Sequence, residues 1–206
     1  MKVIDITASI HRQMTVYKNN EENRPIIENI RNFDNSSMYE SSIWMNMHTG
    51  THIDFALHAV KDGTNSNNHN ISRFVSPCKV FDLTHVDDKI GLDDVKTLGI
   101  EKGDFVLFKT KNSFDQGFNY NYIFVDQFAA KYLANQSING VGIDSLGIER
   151  NQPNHETHKH LLSKDIIILE GAQLAEVEPG SYTLVCLPLK IDNVEALPVR
   201  AVLLQE

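Results

Sequence analysis

The sequence has little cysteine, no long hydrophobic run and no block of basic residues. Its 206 residues include only two cysteines, Cys78 and Cys186, which lie far apart in the chain. We therefore expect isolated reduced thiols and neither a disulfide framework nor a cysteine metal site. No stretch approaches the roughly 18 consecutive apolar residues of a membrane-spanning helix. These absences exclude disulfide-stapled and transmembrane classes.

Basic residues are the minority among the charged ones. Nineteen Lys and Arg residues stand against 27 Asp and Glu residues, giving a net charge of -8. Such a chain lacks the positive surface that polyanions require, so we expect no nucleic-acid and no membrane partner. Residues 1–14 alternate apolar and polar positions without the apolar core of a signal peptide, and together with the reduced thiols this predicts a cytoplasmic location.

Length and composition are those of a globular protein, with 41% hydrophobic and 22% charged residues, and they predict one domain over residues 1–206. Short β-branched or alternating segments bounded by turn residues predict strands. They cover residues 2–7, 42–47, 79–84, 104–110, 140–144, 165–169, 181–187 and 199–204. Two helices are predicted, over 92–100 and 125–136, so the fold class is a mixed, sheet-dominated α/β protein.

Three local expectations accompany this assignment. Residues 17–42, rich in Asn and Glu, predict a long irregular connection that covers or shapes a site. Trp44 on the following strand is expected in the core. On the second helix, Val125, Phe128, Ala129 and Tyr132 recur at helical spacing and predict a core-facing stripe.

The segment "NMHTGTHIDFALHAVKDG", residues 46–63, crowds imidazoles beside a carboxylate. The residues between His48 and His52 are poor helix formers, so a helical zinc pair does not fit. In an extended segment His52 and Asp54 share one face, and a turn at Gly50 swings His48 back to join them. Two imidazoles and one carboxylate suit zinc or manganese with a position left open for water.

His58 follows four residues after Asp54, close enough to line the same pocket. An imidazole titrates near neutral pH, which suits proton transfer. The alternative interpretation is a set of ordinary core or surface histidines.

A second histidine cluster lies in "HETHKHLLSKDIIILEG", with His155, His158 and His160 followed by an apolar strand that ends at Glu170. A buried carboxylate is costly unless it is paired or bound to a metal. The alternative is an exposed carboxylate at a strand end. Asp144, Ser145 and Glu149 follow another apolar strand and are interpreted as an ordinary strand-end turn, with a position near the pocket as the alternative.

The stretch "HTGTHIDFALH" resembles the HxGTHxDxPxH motif of the cyclase-like metal-dependent hydrolases, a family that includes bacterial kynurenine formamidases and isatin hydrolases. Further along, "EGAQLAEVEPGSYTLVCLPLKIDNVEALPVRAVL" is similar to the family's E-G-L-x-L, G-x-Y-x-L, L-P-L-K and P-V-R-A-V-L run. The resemblance covers most of the chain.

This resemblance implies a swivelling β/β/α fold, a homodimer or larger homo-oligomer and one or two divalent ions per chain, zinc first and manganese second. It implies metal binding by His48, His52, Asp54, His158 and Glu170, with Asp54 and Glu170 bridging the ions. It gives His58 the catalytic position and Tyr17 a substrate contact.

Two departures from the family pattern stand out. The proline of the motif is Ala56 here, and the family's N-terminal "VWPGD" segment is "VYKNN". An aromatic survives at Tyr17, but the Pro and Gly are lost, so we expect the reaction class to transfer more safely than the substrate.

The predicted reaction is hydrolysis of a small amide by metal-activated water, with His58 as general acid or base. N-formylkynurenine, giving kynurenine and formate in tryptophan catabolism, is the preferred substrate. Another amide or an isatin-like lactam is the first alternative, and a non-catalytic module that binds a metal or a small ligand is the second.

Overall fold

Strands dominate the computed structural model, which describes residues 1–205. The strands are β1 (Lys2–Asp5), β2 (Ile26–Arg31), β3 (Glu40–Trp44), β4 (His52–Asp54), β5 (Val75–Asp82), β6 (Lys89–Ile90), β7 (Phe105–Lys109), β8 (Phe124–Val125), β9 (Gly140–Ile143), β10 (Ile167–Glu170), β11 (Gly180–Pro188) and β12 (Ala196–Gln205). The helices are α1 (Leu92–Lys96), α2 (Gln127–Asn135) and α3 (Glu156–Leu162). The predicted sheet-dominated α/β class is confirmed.

The main sheet has eight strands in the order β1-β12-β11-β5-β7-β9-β10-β4. Because β4 also pairs with β12, the sheet curls back on itself into a barrel-like ring. The pairs β5–β7, β7–β9 and β9–β10 are parallel, whereas β4 runs antiparallel to both of its neighbours. The short motif strand therefore closes the ring.

Alternate side chains of the ring strands enter two separate cores. On β7, Phe105 and Leu107 join a cluster built largely from ring strands, whereas Val106 and Phe108 join a cluster that includes the helices. This alternation is the period of two expected of a strand with both faces covered. The ring is thus filled on the inside and covered by helices on the outside.

Helix α2 begins at its cap, Asp126, whose carboxylate accepts hydrogen bonds from the backbone N–H groups of Phe128 and Ala129. Its buried side chains are Ala129, Ala130, Leu133 and Ala134. The predicted stripe is therefore wrong at Phe128, whose side chain is exposed. The buried face of α2 consists mainly of alanines, whose small side chains let the helix pack closely against the core. The pattern of large residues therefore does not mark the buried face.

The segment predicted as a long irregular connection contains the β2–β3 hairpin, so that prediction is wrong in its central part. Every residue of β2 and β3 except Ile27 is exposed, so neither face supplies an alternation of apolar and polar residues. Trp44 belongs to this hairpin and is 55% exposed, which contradicts the expected core position.

Helix α3 was not predicted. It is only seven residues long and begins with Thr and His among its first residues, which are weak helix formers. Packing stabilises it: Thr157, His158, Leu161 and Leu162 form one buried face.

Cys78 and Cys186 are buried and free, as predicted. Over residues 1–205, none of the helices has the length and apolar character needed to traverse a bilayer.

Candidate active site

Strand β4 orients the motif as the alternation predicts. Ile53 and the following Phe55 pack in the core of the ring, while His52 and Asp54 point to the opposite face. Both polar side chains are buried, with 1% exposure for His52 and none for Asp54. A charged residue at such a position requires a partner of opposite charge or a metal.

A turn at Gly50 brings His48 back towards the strand. Gly50 has φ +64°, the left-handed conformation that glycine adopts readily. Nδ1 of His48 then lies 3.2 Å from Nε2 of His52 and 3.1 Å from Oδ1 of Asp54. Nδ1 of His52 lies 2.9 Å from the carbonyl oxygen of Gly50, which can only accept, so this nitrogen donates and Nε2 faces the cluster.

Glu170 is placed by strand register. In the β4–β10 ladder it stands directly opposite His52, and Ile168 stands opposite Asp54. Cross-strand partners share a face, so the Glu170 carboxylate lies beside the motif, with Oε2 3.3 Å from Nε2 of His52. The sequence separates these residues widely, and the closed ring brings them together.

Helix α3 supplies the third element. Its buried face carries His158, whose Nε2 lies 3.4 Å from Oε1 of Glu170 and 3.8 Å from Oδ2 of Asp54. One oxygen of each carboxylate, Oδ2 of Asp54 and Oε1 of Glu170, faces His158. The other oxygen, Oδ1 of Asp54 and Oε2 of Glu170, faces the imidazoles of the motif. The five residues named as metal ligands converge, and the two carboxylates lie between two imidazole groups.

His155 and His160 stand apart from this convergence. His155 contacts Glu149 on the outer side of His158. Within residues 1–205, His160 belongs to none of the His, Asp and Glu groups whose ligand atoms cluster within 4.8 Å. Of these three histidines, His158 is the one whose ring contacts Asp54 and Glu170.

The buried histidines and carboxylates of the cluster shift one another's pKa values. Burial alone lowers the pKa of His52, but Glu170 and Asp54 outweigh it and raise that pKa to about 9. Burial likewise opposes a charge on His158, and Glu149 and Glu170 raise its pKa to about 10. Burial also raises the pKa of Glu170, yet the two histidines hold it well below the ordinary value. A divalent ion in the cluster would supply positive charge beside the carboxylates in place of these protons.

The polar atoms of the cluster fit a divalent ion. Both carboxylate oxygens of Asp54 and Nε2 of His158 are buried without a hydrogen-bond partner. Buried polar groups are rarely left in this way. Ligand atoms about 2.1 Å from zinc at tetrahedral angles are about 3.4 Å apart. The nitrogen-to-oxygen distances of 3.1–3.8 Å in the cluster bracket that separation.

A pocket of about 440 Å³ opens over the cluster, a size suited to a small molecule. His58 and His158 line it together with Tyr17, which forms part of the wall. The ring centroid of His58 is 4.4 Å from that of His48 and 5.2 Å from that of His158. Burial lowers the pKa of His58, which favours its neutral form. Its nitrogen also lies within reach of His48 and Asp54, so geometry alone permits either a ligand or a proton carrier.

The two departures from the family pattern have local structural outcomes. A 3-10 turn over Ala56–His58 forms without the motif's proline and presents His58 to the pocket. Beside Tyr17, both Lys18 and Asn19 have positive φ, at 55° and 52°. This conformation is unfavourable for residues other than glycine. Tyr120 stabilises it by donating a hydrogen bond to the carbonyl of Lys18 at 2.9 Å, and Phe118 packs edge-on against Tyr17 at 5.2 Å.

Glu149 is the site residue that sequence reasoning missed. Interpreted as part of an ordinary strand-end turn, it is instead 7% exposed, with its carboxylate between His155 and His158. Glu170 is the last residue of β10, whereas Glu149 lies six residues beyond the end of β9. The local sequence therefore indicates a buried carboxylate less clearly at Glu149 than at Glu170.

The chain is similar in sequence and in fold to known proteins. The family model described as putative cyclase matches residues 4–150. A kynurenine formamidase from Salinibacter ruber is 32% identical over 206 residues, covering 98% of this chain and 97% of the relative. The chain belongs to the putative cyclase family.

Solved structures extend the comparison across the cyclase family. A potential metal-dependent hydrolase with cyclase activity superposes with a TM-score of 0.92 at 50% identity, over 98% of this chain and 96% of the other. Isatin hydrolase A from Labrenzia aggregata shares the fold, with a TM-score of 0.86 at 22% identity, over 100% of this chain and 94% of the other. Together these matches support a hydrolase, and with the clustered His, Asp and Glu side chains they point to a divalent metal.

Proposed function

We propose that the protein is a metal-dependent amidohydrolase of the arylformamidase type, which converts N-formylkynurenine to kynurenine and formate. The observation that carries this proposal is the arrangement of Asp54 and Glu170 between two imidazole groups at the floor of a pocket. The 32% identity to a kynurenine formamidase over nearly the whole chain supports the substrate class.

The ion would be held by His48, His52, Asp54, His158 and Glu170. This mixture of imidazole and carboxylate suits zinc, with manganese as the second choice, and the paired oxygens of Asp54 and Glu170 offer places for one or two ions. When bound, a divalent ion polarises a carbonyl group and lowers the pKa of water towards neutrality.

The protein's own groups then complete the site. His58, kept neutral by its surroundings, takes up a proton and delivers it to the leaving nitrogen of the amide. Tyr17 lies in the pocket wall and stacks against an aryl group of the substrate. Phe118 and Tyr120 hold the Tyr17 segment in place.

A lactam is the alternative substrate, since ring opening of a cyclic amide uses the same groups. The fold shared with isatin hydrolase A is compatible with it. A non-catalytic binding module is the remaining alternative. It is disfavoured by the presence of a proton carrier, His58, beside the ligand cluster.

A substrate screen tests the proposal. Protein stripped of metal and reconstituted with Zn²⁺ or Mn²⁺ is offered formylated arylamines, aryl lactams and isatin, and product is measured with and without a chelator. We expect formate release from formylated arylamines that the chelator abolishes. Turnover confined to lactams would favour the alternative substrate, and metal binding without turnover of any compound would favour the binding module.

A further inference from the structure

A buried carboxylate contacts His158 from the side opposite the ligand cluster. Oε2 of Glu149 lies 3.4 Å from Nδ1 of His158, while Nε2 of the same ring lies 3.4 Å from Oε1 of Glu170. The imidazole therefore stands between two carboxylates, one at each nitrogen. Among residues 1–205, Glu149 groups with His155 and His158 and is in neither of the groups that contain His48 or His52.

The Glu149 carboxylate is fixed in this position by neighbours that donate to it. The backbone N–H of His158 and the side-chain amide of Gln152 each lie 3.2 Å from Oε2. Nδ1 of His155 lies 2.6 Å from Oε1. Gln152 is held in turn, because its amide also donates to Thr157 at 2.7 Å. The carboxylate thus anchors the first turn of α3, the helix that carries His158.

His155 adopts a strained backbone at this point. Its φ of 55° and ψ of 49° are left-handed, a conformation that is unfavourable for a residue other than glycine. That conformation places the residue at the cap of α3, and its ring reaches back to Glu149. Strain of this kind persists where the surrounding structure requires it.

An imidazole that binds a metal does so through one nitrogen and normally donates the hydrogen on the other to an acceptor, which fixes its tautomer and ring orientation. His52 meets this need with the carbonyl of Gly50. Nδ1 of His158 forms no hydrogen bond in this structure, and the acceptor beside it is the Glu149 carboxylate, whose Oε2 lies 3.4 Å away. His52 and His158 thus each have an acceptor beside the ring nitrogen that faces away from the ligand cluster.

We propose that Glu149 is a positioning residue for the metal centre: it holds the hydrogen of His158 on Nδ1 so that Nε2 faces Asp54 and Glu170, and His155 steadies Glu149. This inference rests on the metal site proposed above. It assigns Glu149 to the affinity of the site for metal.

Metal affinity of Glu149→Gln, without substrate, tests the inference. Glu156→Gln is the matched control, because it removes the same charge from the start of α3 without contacting His158. Metal-stripped proteins are titrated with Zn²⁺ against a chromophoric chelator and with Co²⁺ by visible absorption. We expect Glu149→Gln to bind Zn²⁺ about 10-fold to 100-fold more weakly, with an altered Co²⁺ spectrum, and the control to stay within about twofold of wild type. His155→Ala should lose less.

Unchanged affinity and an unchanged Co²⁺ spectrum in Glu149→Gln would overturn the inference. So would a weakened affinity matched by a large fall in the unfolding midpoint of the metal-free variant, since the role would then be only to fold α3. If Glu149→Gln does not fold, Glu149→Asp, which keeps the charge but shortens the reach, must bind Zn²⁺ more weakly than wild type. If the wild type hydrolyses formylated arylamines and Glu149→Gln binds metal normally, only the positioning role of Glu149 is rejected. If the wild type binds no metal, the proposed function is rejected as well.

Discussion

The β2–β3 hairpin and strand β4 are adjacent in the chain and differ in almost every physical property. The hairpin strands pair only with each other, and their side chains are exposed on both faces. Strand β4 pairs with β10 and β12 and is completely buried. A strand with neighbours on both edges can hold polar side chains in fixed positions away from water, which is what a metal centre requires. The hairpin offers no such environment and presents apolar surface instead.

The largest expected effect follows from removing the charge at the centre of β4. Asp54→Asn keeps the shape of the side chain but loses the carboxylate shared by both imidazole groups. We expect metal affinity to fall by more than about 100-fold and chelator-sensitive hydrolysis to disappear. Elemental analysis and formate release measure the two effects, with exposed Asp93→Asn as control. Full metal content and full activity in Asp54→Asn would contradict the site.

His58→Ala separates the ligand cluster from the proton carrier. We expect turnover to fall by about 100-fold to 10,000-fold while the metal is retained, because general acid or base assistance is lost and the ligands remain. His85→Ala, on an exposed loop, should behave as wild type. Loss of metal from His58→Ala would instead make His58 a ligand.

Gly171→Ala tests how tightly the backbone beside β4 is packed. Gly171 has φ +70°, and a Cβ there would lie 2.6 Å from the carbonyl oxygen of Gly50 in the motif turn. We expect the free energy of unfolding in urea to fall by about 2–3 kcal/mol. Gly99→Ala is a matched control, since Gly99 has φ +61° with nothing within 4 Å, and should cost only about 1 kcal/mol. Equal losses would show that the contact with Gly50 is unimportant.

The smallest effect on catalysis is expected in the hairpin. A two-stranded hairpin exposed on both faces is marginally stable alone, so we expect a second copy of the chain to cover it, in keeping with the predicted homodimer. Trp44→Ser should change kcat by less than about twofold, since Trp44 lies outside the ligand cluster, but lower the mass measured by sedimentation. Exposed Phe114→Ser serves as the control. An unchanged mass in Trp44→Ser would contradict this role of the hairpin.

The same contrast explains what the sequence could predict. His52 and Asp54 were assigned to one face because Ile53 and Phe55 alternate with them and the core lies on the other side. The hairpin and Trp44 were misjudged because a strand exposed on both faces has no such alternation. The motif's own geometry was predictable, and so was the polar end of β10 at Glu170.

Contacts between residues far apart in the sequence cannot be predicted from the local sequence pattern. The pairing of Glu170 with His52 depends on ring closure, and His158 reaches the cluster on a helix too short and too poor in strong helix formers to be predicted. These two placements followed only from the family resemblance. Glu149 could not be assigned to the site from the sequence, because a carboxylate shortly after a strand is typical of a turn and its partners His155 and His158 follow only from the fold.

The double pairing of β4 would give a bound ion a structural role as well. β4 comes from the first half of the chain and its partners β10 and β12 from the second half, so their pairing closes long loops at a cost in chain entropy. A cation bound by residues of β4, β10 and α3 would link these distant segments, and binding to the native form alone would raise its stability with rising metal concentration. The supply of metal in the cell would then govern the lifetime of the folded chain as well as its turnover.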